Sequence, residues 1–248
     1  MATVTSPARS LPGTRYDHRF FPAMVVLLTA SVATGFARTY FLAGVFQARL
    51  PGILIHIHGA VFTAWFVLLL VQSALAASGR IGLHRTLGIT GIVIASAMVP
   101  LGVLATAEYI RRMAPTFPRV RIAAIMPLAE ILSFAVLAAV AFLLRLRPDW
   151  HKRLILLATI ALIGAALGRM DFLPYFDFRR NAALRLVWAY TYVFCLVLAA
   201  YDVWALRRIH RATLSGSGFL IAVHQVALLV NNTAPWLAFA GWLQSWNL

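Results

Sequence analysis

Seven histidines in a chain that is 62% hydrophobic are the residues whose type and spacing could do chemistry. Most of them stand at the ends of apolar runs. His56 and His58 open one run (Ile-His-Ile-His-Gly), His84 precedes the next (Leu-His-Arg-Thr-Leu-Gly), and His151 precedes another (Asp-Trp-His-Lys-Arg-Leu). A neutral imidazole ligates metals, and the group changes charge near neutral pH. An ionisable side chain in or at the edge of a bilayer is expensive, so it needs a partner or a function.

His84 and His151 fall at equivalent depths, each at the start of an apolar segment and each followed by cations. Two imidazoles from facing helices can ligate a b-type haem, with Arg85, Lys152 or Arg153 holding the propionates. The plainer reading of His-Arg and His-Lys-Arg is a topogenic loop that binds lipid phosphate.

A second level of polar residues lies towards the other side. His56 and His58 are two residues apart, so on a regular helix they diverge by about 200° and do not share a face. His58, Trp65 and Gln72 recur every seven residues and form one stripe. Gly59 beside His58 would let a helix or flat cofactor approach closely. Glu130 (Pro-Leu-Ala-Glu-Ile-Leu), Arg38 (Ala-Arg-Thr-Tyr), Arg169 and Asp171 reach the same half from other segments. One reading is a cavity with His56, His58 and Glu130 as metal ligands, and Arg38 and Arg169 beside a haem or quinone headgroup. The other is a buried ion pair that locks helices together. His224, Asn231 and Asn232 read as packing residues of the last helix, and Asp202 as a partner of Arg207 or Arg208.

The elements that must position these groups are helices. Crossing the hydrocarbon takes about 20 apolar residues. Seven spans meet that length, at roughly 20–46, 51–77, 87–110, 122–144, 151–171, 184–206 and 218–243. They predict an all-α polytopic transmembrane bundle of one domain, 20–248, behind a polar tail, 1–19. The first span has no cleavage site and reads as a retained anchor. Lys and Arg number about twelve on the N-terminal side and about ten on the other, a small bias towards a cytoplasmic N-terminus. Trp188, Trp236, Trp242 and Trp246 are expected to form an aromatic belt on the outer side. A short internal repeat joins His84-Arg85-Thr86-Leu87 to His151-Lys152-Arg153-Leu154.

Composition narrows the functions. The net charge of +15 comes from 22 Lys and Arg against 7 Asp and Glu. In this setting it suits lipid headgroups and topology, not nucleic acid. The single Cys195 excludes an intrachain disulfide. There is no Cys-x-x-Cys-His, P-loop, Gly-x-Ser-x-Gly or His-Glu-x-x-His. Leu228 stands where a seven-helix zinc hydrolase of the ceramidase kind has a second histidine after His224. No lysine in the last helix offers a retinal Schiff base.

Taken together, His56-x-His58-Gly59, Trp65, Gln72, Leu83-His84-Arg85-x-Leu87-Gly88 and His151-Lys152-Arg153-Leu154 resemble a family of bacterial seven-helix membrane proteins. Phe36-Ala37-Arg38-Thr39 and Thr233-Ala234-Pro235-Trp236 also fit it. The resemblance covers nearly the whole chain and implies a seven-helix fold in a bacterial inner membrane, without implying a chemistry. More distantly, the chain is similar to transmembrane b-type cytochromes and haem-copper oxidase assembly proteins. It departs from the di-haem cytochromes because both outer histidines lie on one helix.

The expected function is that of a membrane redox protein or redox-linked accessory subunit. It would carry haem b or another metal and would act on quinone or beside other subunits of a membrane complex. A proton-coupled small-solute transporter and a non-catalytic structural subunit are the alternatives.

Overall fold

A computed structural model describes residues 14–48, 52–170 and 182–246, and it is all α among them. The helices are α1 (Thr14–Phe36), α2 (Ile53–Ala77), α3 (Ile81–Met113), α4 (Val120–Ala123), α5 (Ile125–Leu143), α6 (Pro148–Ala161), α7 (Gly164–Leu167), α8 (Ala182–Leu206), α9 (Arg211–Val230) and α10 (Ala234–Gln244). A π-helical turn, Ala37–Phe41, extends α1. Seven of the resulting segments are long and apolar enough to cross a membrane, with α4–α5 and α6–α7 each forming one span. The protein is a multi-pass membrane protein. Below, the near face is the one where α1 begins, and the far face is the opposite one.

The innermost helix is α6. Every residue from Arg153 to Ala161 is buried, so it is apolar on all sides except where Arg153 and Thr159 find partners. It packs on α5, α9, α1 and α8, while α2 and α3 form the most extensive hairpin. Outward-facing Val67, Ile89, Val93, Leu132, Leu196 and Leu229 stay exposed on the single chain, as lipid-facing side chains do.

Two expectations change here. The seventh span was expected to run unbroken to residue 243, with Asn231 and Asn232 near its middle. Instead α9 ends at Val230 and the two asparagines lie in the break before α10. Pro235 in the first turn of α10 has no N–H to continue the ladder, so the chain turns there. It packs on α3 and α4 instead, where Trp236 Nε1 donates to the Arg121 carbonyl at 2.9 Å. Secondly, α3 is longer than expected because it starts at Ile81, which brings His84 inside its first turn.

Candidate functional site

The near-face site is built by two hairpins with the same construction. His84 and His151 are each the fourth residue of a helix, α3 and α6, whose N-cap is an arginine, Arg80 and Arg147. Each ring turns back onto the helix before it. His84 Nδ1 lies 3.3 Å from the Gln72 carbonyl of α2, and His151 Nδ1 lies 2.8 Å from the Ala141 carbonyl of α5. A carbonyl can only accept, so both Nδ1 atoms carry protons in these bonds. In the neutral ring the lone pair is then on Nε2, the arrangement that orients a metal-ligating histidine. The two rings stand edge to face, with centres 6.4 Å apart and planes at 84°.

Both histidines line a cavity of about 260 Å³ between α1, α2, α3 and α6. Its wall is apolar (Phe21, Val25, Leu69, Ile155, Leu156), with Gln72 deeper and Asp17, His18 and Lys152 at the rim. An ionic layer closes the face around it. Lys152 Nζ is 2.6 Å from both Asp17 and Asp149, and the Tyr201 hydroxyl donates to Asp17 at 2.6 Å. Arg153 is fully buried against Asp202, with Nε at 2.9 Å and Nη2 at 2.5 Å. Asp202 also accepts from the Thr213 hydroxyl and the His210 backbone N–H. Its partner is therefore Arg153 and not Arg207 or Arg208. That commitment removes Arg153 from the cations free to hold an anionic group, while Arg85 is exposed.

His210 had carried no signal in the sequence, yet it caps α9 by accepting from the Ala212 N–H at 3.1 Å. Burial, then the charge of Arg153, hold this imidazole below its ordinary pKa, against the pull of Asp202 and Asp149.

The far-half residues sort differently from the expected metal set. Among the described residues, no three His, Cys, Asp or Glu side chains gather to hold a metal ion. His56 is occupied locally, with its Nδ1 3.1 Å from the Tyr40 hydroxyl of the π-turn. The Tyr40 ring also fills the space over Gly59, so a neighbouring side chain takes the place expected for a cofactor. His58 lies against Phe62, with ring centres 4.0 Å apart and planes tilted by 32°, and leaves Nδ1 without a partner. Arg38 sits over the Phe46 ring at 5.4 Å.

Arg169 is exposed on the single chain; its guanidinium lies over the Phe36 ring at 4.5 Å and donates to the Ala165 carbonyl at 2.5 Å, and its charge reaches towards Glu130. Arg169 and Glu130 form no ion pair within 4 Å among the described residues, and Asp171 lies outside them. The α2 stripe is present. Trp65 and Gln72 are buried, and Trp65 Nε1 donates to Thr159 of α6 at 3.3 Å.

Trp188 is not part of an aromatic belt. It is 1% exposed and lies parallel to His224, with ring centres 4.1 Å apart. No spacing in the sequence links these two residues, which only the packing of α8 on α9 brings together. The chain is a polytopic helical bundle with two neighbouring imidazoles, His84 and His151, at its near face. Comparisons with protein-family models, with curated proteins and with solved structures found no match.

Proposed function

We propose that this is a membrane redox protein, or a redox-linked accessory subunit, in which His84 and His151 would hold one b-type haem. The observation that carries this reading is the approach of two rings, with centres 6.4 Å apart, whose Nδ1 atoms are both tied to helix carbonyls and whose Nε2 lone pairs are left for a ligand. Two histidines alone are too few for a tetrahedral metal site. A haem held there would supply one-electron transfer.

The chain's own residues orient and surround the group. The Gln72 and Ala141 carbonyls fix the two rings. Lys152 at the rim and Arg85 beside His84 are the cations suited to propionates. At about 260 Å³ the cavity is small for a cofactor pocket. Seating a macrocycle therefore requires the cavity to widen. The apolar wall also suits a quinone partner diffusing in the bilayer. The small charge bias of the loops supports a cytoplasmic N-terminus, and the family resemblance a bacterial inner membrane.

Absorption spectroscopy tests the reading. Protein purified after expression with a haem supply is expected to show a Soret band and about one haem per chain by pyridine haemochrome, both lost in His84→Ala and His151→Ala. A wild-type protein with no Soret band and no iron overturns it.

A further inference from the structure

Three buried polar atoms in the far half of the bundle, linked through the Trp188 indole, lack a well-formed hydrogen bond. They are Glu130 Oε1 on α5, Trp188 Nε1 on α8 and His224 Nε2 on α9. Their residues are 4%, 1% and 0% exposed. The indole and imidazole rings are stacked, and the indole N–H lies beside the Glu130 carboxyl. The other imidazole edge is held, with Nδ1 3.0 Å from the Tyr192 hydroxyl. Ser133, one turn beyond Glu130, adds a further buried hydroxyl with no partner.

The backbone makes room for this carboxyl. The helical ladder lapses between α6 and α7, and a Cβ added at Gly164 would overlap Glu130 Oε1. A buried polar group with no partner costs roughly 1–3 kcal/mol. Such groups on both sides of one indole call for a shared partner. Together they offer the two to four partners that a buried water needs. A carboxyl and an imidazole nitrogen are also the pair that hands on a proton directly or through one water.

We infer that Glu130 and His224 form an intramembrane proton-binding site, entered from the Arg169 end. Transfer breaks the carboxyl O–H bond and forms an N–H bond with the Nε2 lone pair of His224. It leaves a carboxylate that the Arg169 charge offsets and an imidazolium that donates to the Tyr192 oxygen. The charged and titratable groups nearest the site are Arg169, which acts on Glu130 and also on His58 of α2 and Tyr109 of α3, and Tyr192 of α8, which bonds His224. This site is independent of the proposed haem, which lies at the near face.

The chain has only two glutamates, Glu108 and Glu130, and Glu108 is paired with Arg111 at the far end of α3. Infrared spectroscopy of wild-type protein in lipid nanodiscs, labelled with 13C-glutamate, therefore isolates the carboxyl in question. The expected result is a protonated-carboxyl stretch that moves down in D2O, varies with pH and is lost in Glu130→Gln. In His224→Phe, which keeps a flat ring against Trp188, its pH profile is expected to shift. A labelled wild type showing only carboxylate at every pH overturns the inference, since Glu130 is then a fixed partner of Arg169. So does a folded His224→Phe with an unchanged Glu130 profile. If that variant does not fold, Trp188→Phe replaces it, and an unchanged profile there has the same meaning.

Discussion

His84 and His151 occupy the same position in two successive hairpins, each the fourth residue of its second helix and each bonded through Nδ1 to a carbonyl of the first. The short repeat around them is thus a structural repeat, and it points both Nε2 lone pairs away from the backbone that holds the rings. Among the described residues neither Nε2 makes a hydrogen bond, which leaves both available to a ligand.

Under the proposed haem ligation, changing His151 is expected to separate haem binding from haem potential. His151→Met should keep the haem and raise its midpoint potential, because a thioether favours the reduced iron more than an imidazole does. Redox titration followed at the Soret band checks this. A His151→Met protein with the wild-type potential would show that residue 151 is not a ligand.

Asp202 is expected to be the most sensitive position of the near face. It is 0% exposed and takes four hydrogen bonds, two from Arg153 and one each from Thr213 and His210. Asp202→Asn leaves the Arg153 charge buried and is expected to cost about 3–5 kcal/mol. Replacing both partners, as in Arg153→Met with Asp202→Leu, should recover much of that loss. Unfolding in mixed micelles by SDS titration provides the comparison.

Stability is expected to depend on pH through His210. The cap on α9 requires a neutral ring, because Nδ1 accepts from Ala212. Burial and the Arg153 charge lower the native pKa. The native state therefore binds the proton less readily than the unfolded chain, whose imidazole titrates near about 6.5. This contribution is fully present above that value and is lost as pH falls from it through the lowered native value. His210→Asn keeps a capping acceptor that does not titrate. It should flatten this part of the profile between pH 7 and 5, and an identical slope in the variant would refute the assignment.

The approach of α1 to α7 is expected to tolerate no side chain at Gly35. A Cβ there would overlap the Ala166 carbonyl, which is backbone and cannot swing aside. Gly35→Ala should cost about 1–3 kcal/mol by overpacking. Gly52→Ala, where a Cβ meets nothing within 4 Å, serves as the control. Equal melting temperatures for the two variants would contradict this packing.

Much of the architecture is legible in the chain because the bilayer sets the rules. Spans of about 20 apolar residues must be helices, since no water is present to satisfy an open backbone. The seven spans, the His58–Trp65–Gln72 stripe and the equal depth of His84 and His151 all follow from length and period. Helix ends are less legible. The start of α3 at Ile81 and the break after Val230 depend on turns whose residues have no strong pattern of their own.

Partner choice was not legible, because it depends on how helices rotate against each other. Sequence proximity suggested Arg207 or Arg208 for Asp202, but the rotation of α6 places Arg153 there. Trp188 looked like an interfacial residue until α9 brought His224 onto its face. His56 and Glu130 looked like members of one metal site, yet Tyr40 engages the first and Arg169 acts on the second. The sequence by itself determined the seven apolar spans and the shared depth of His84 and His151, because hydropathy and a 1.5 Å rise fix position along a helix axis wherever the helix ends are right. Only the tertiary structure decided which polar groups meet across helices, because azimuth and close approach are set by packing against neighbours and not by any local pattern.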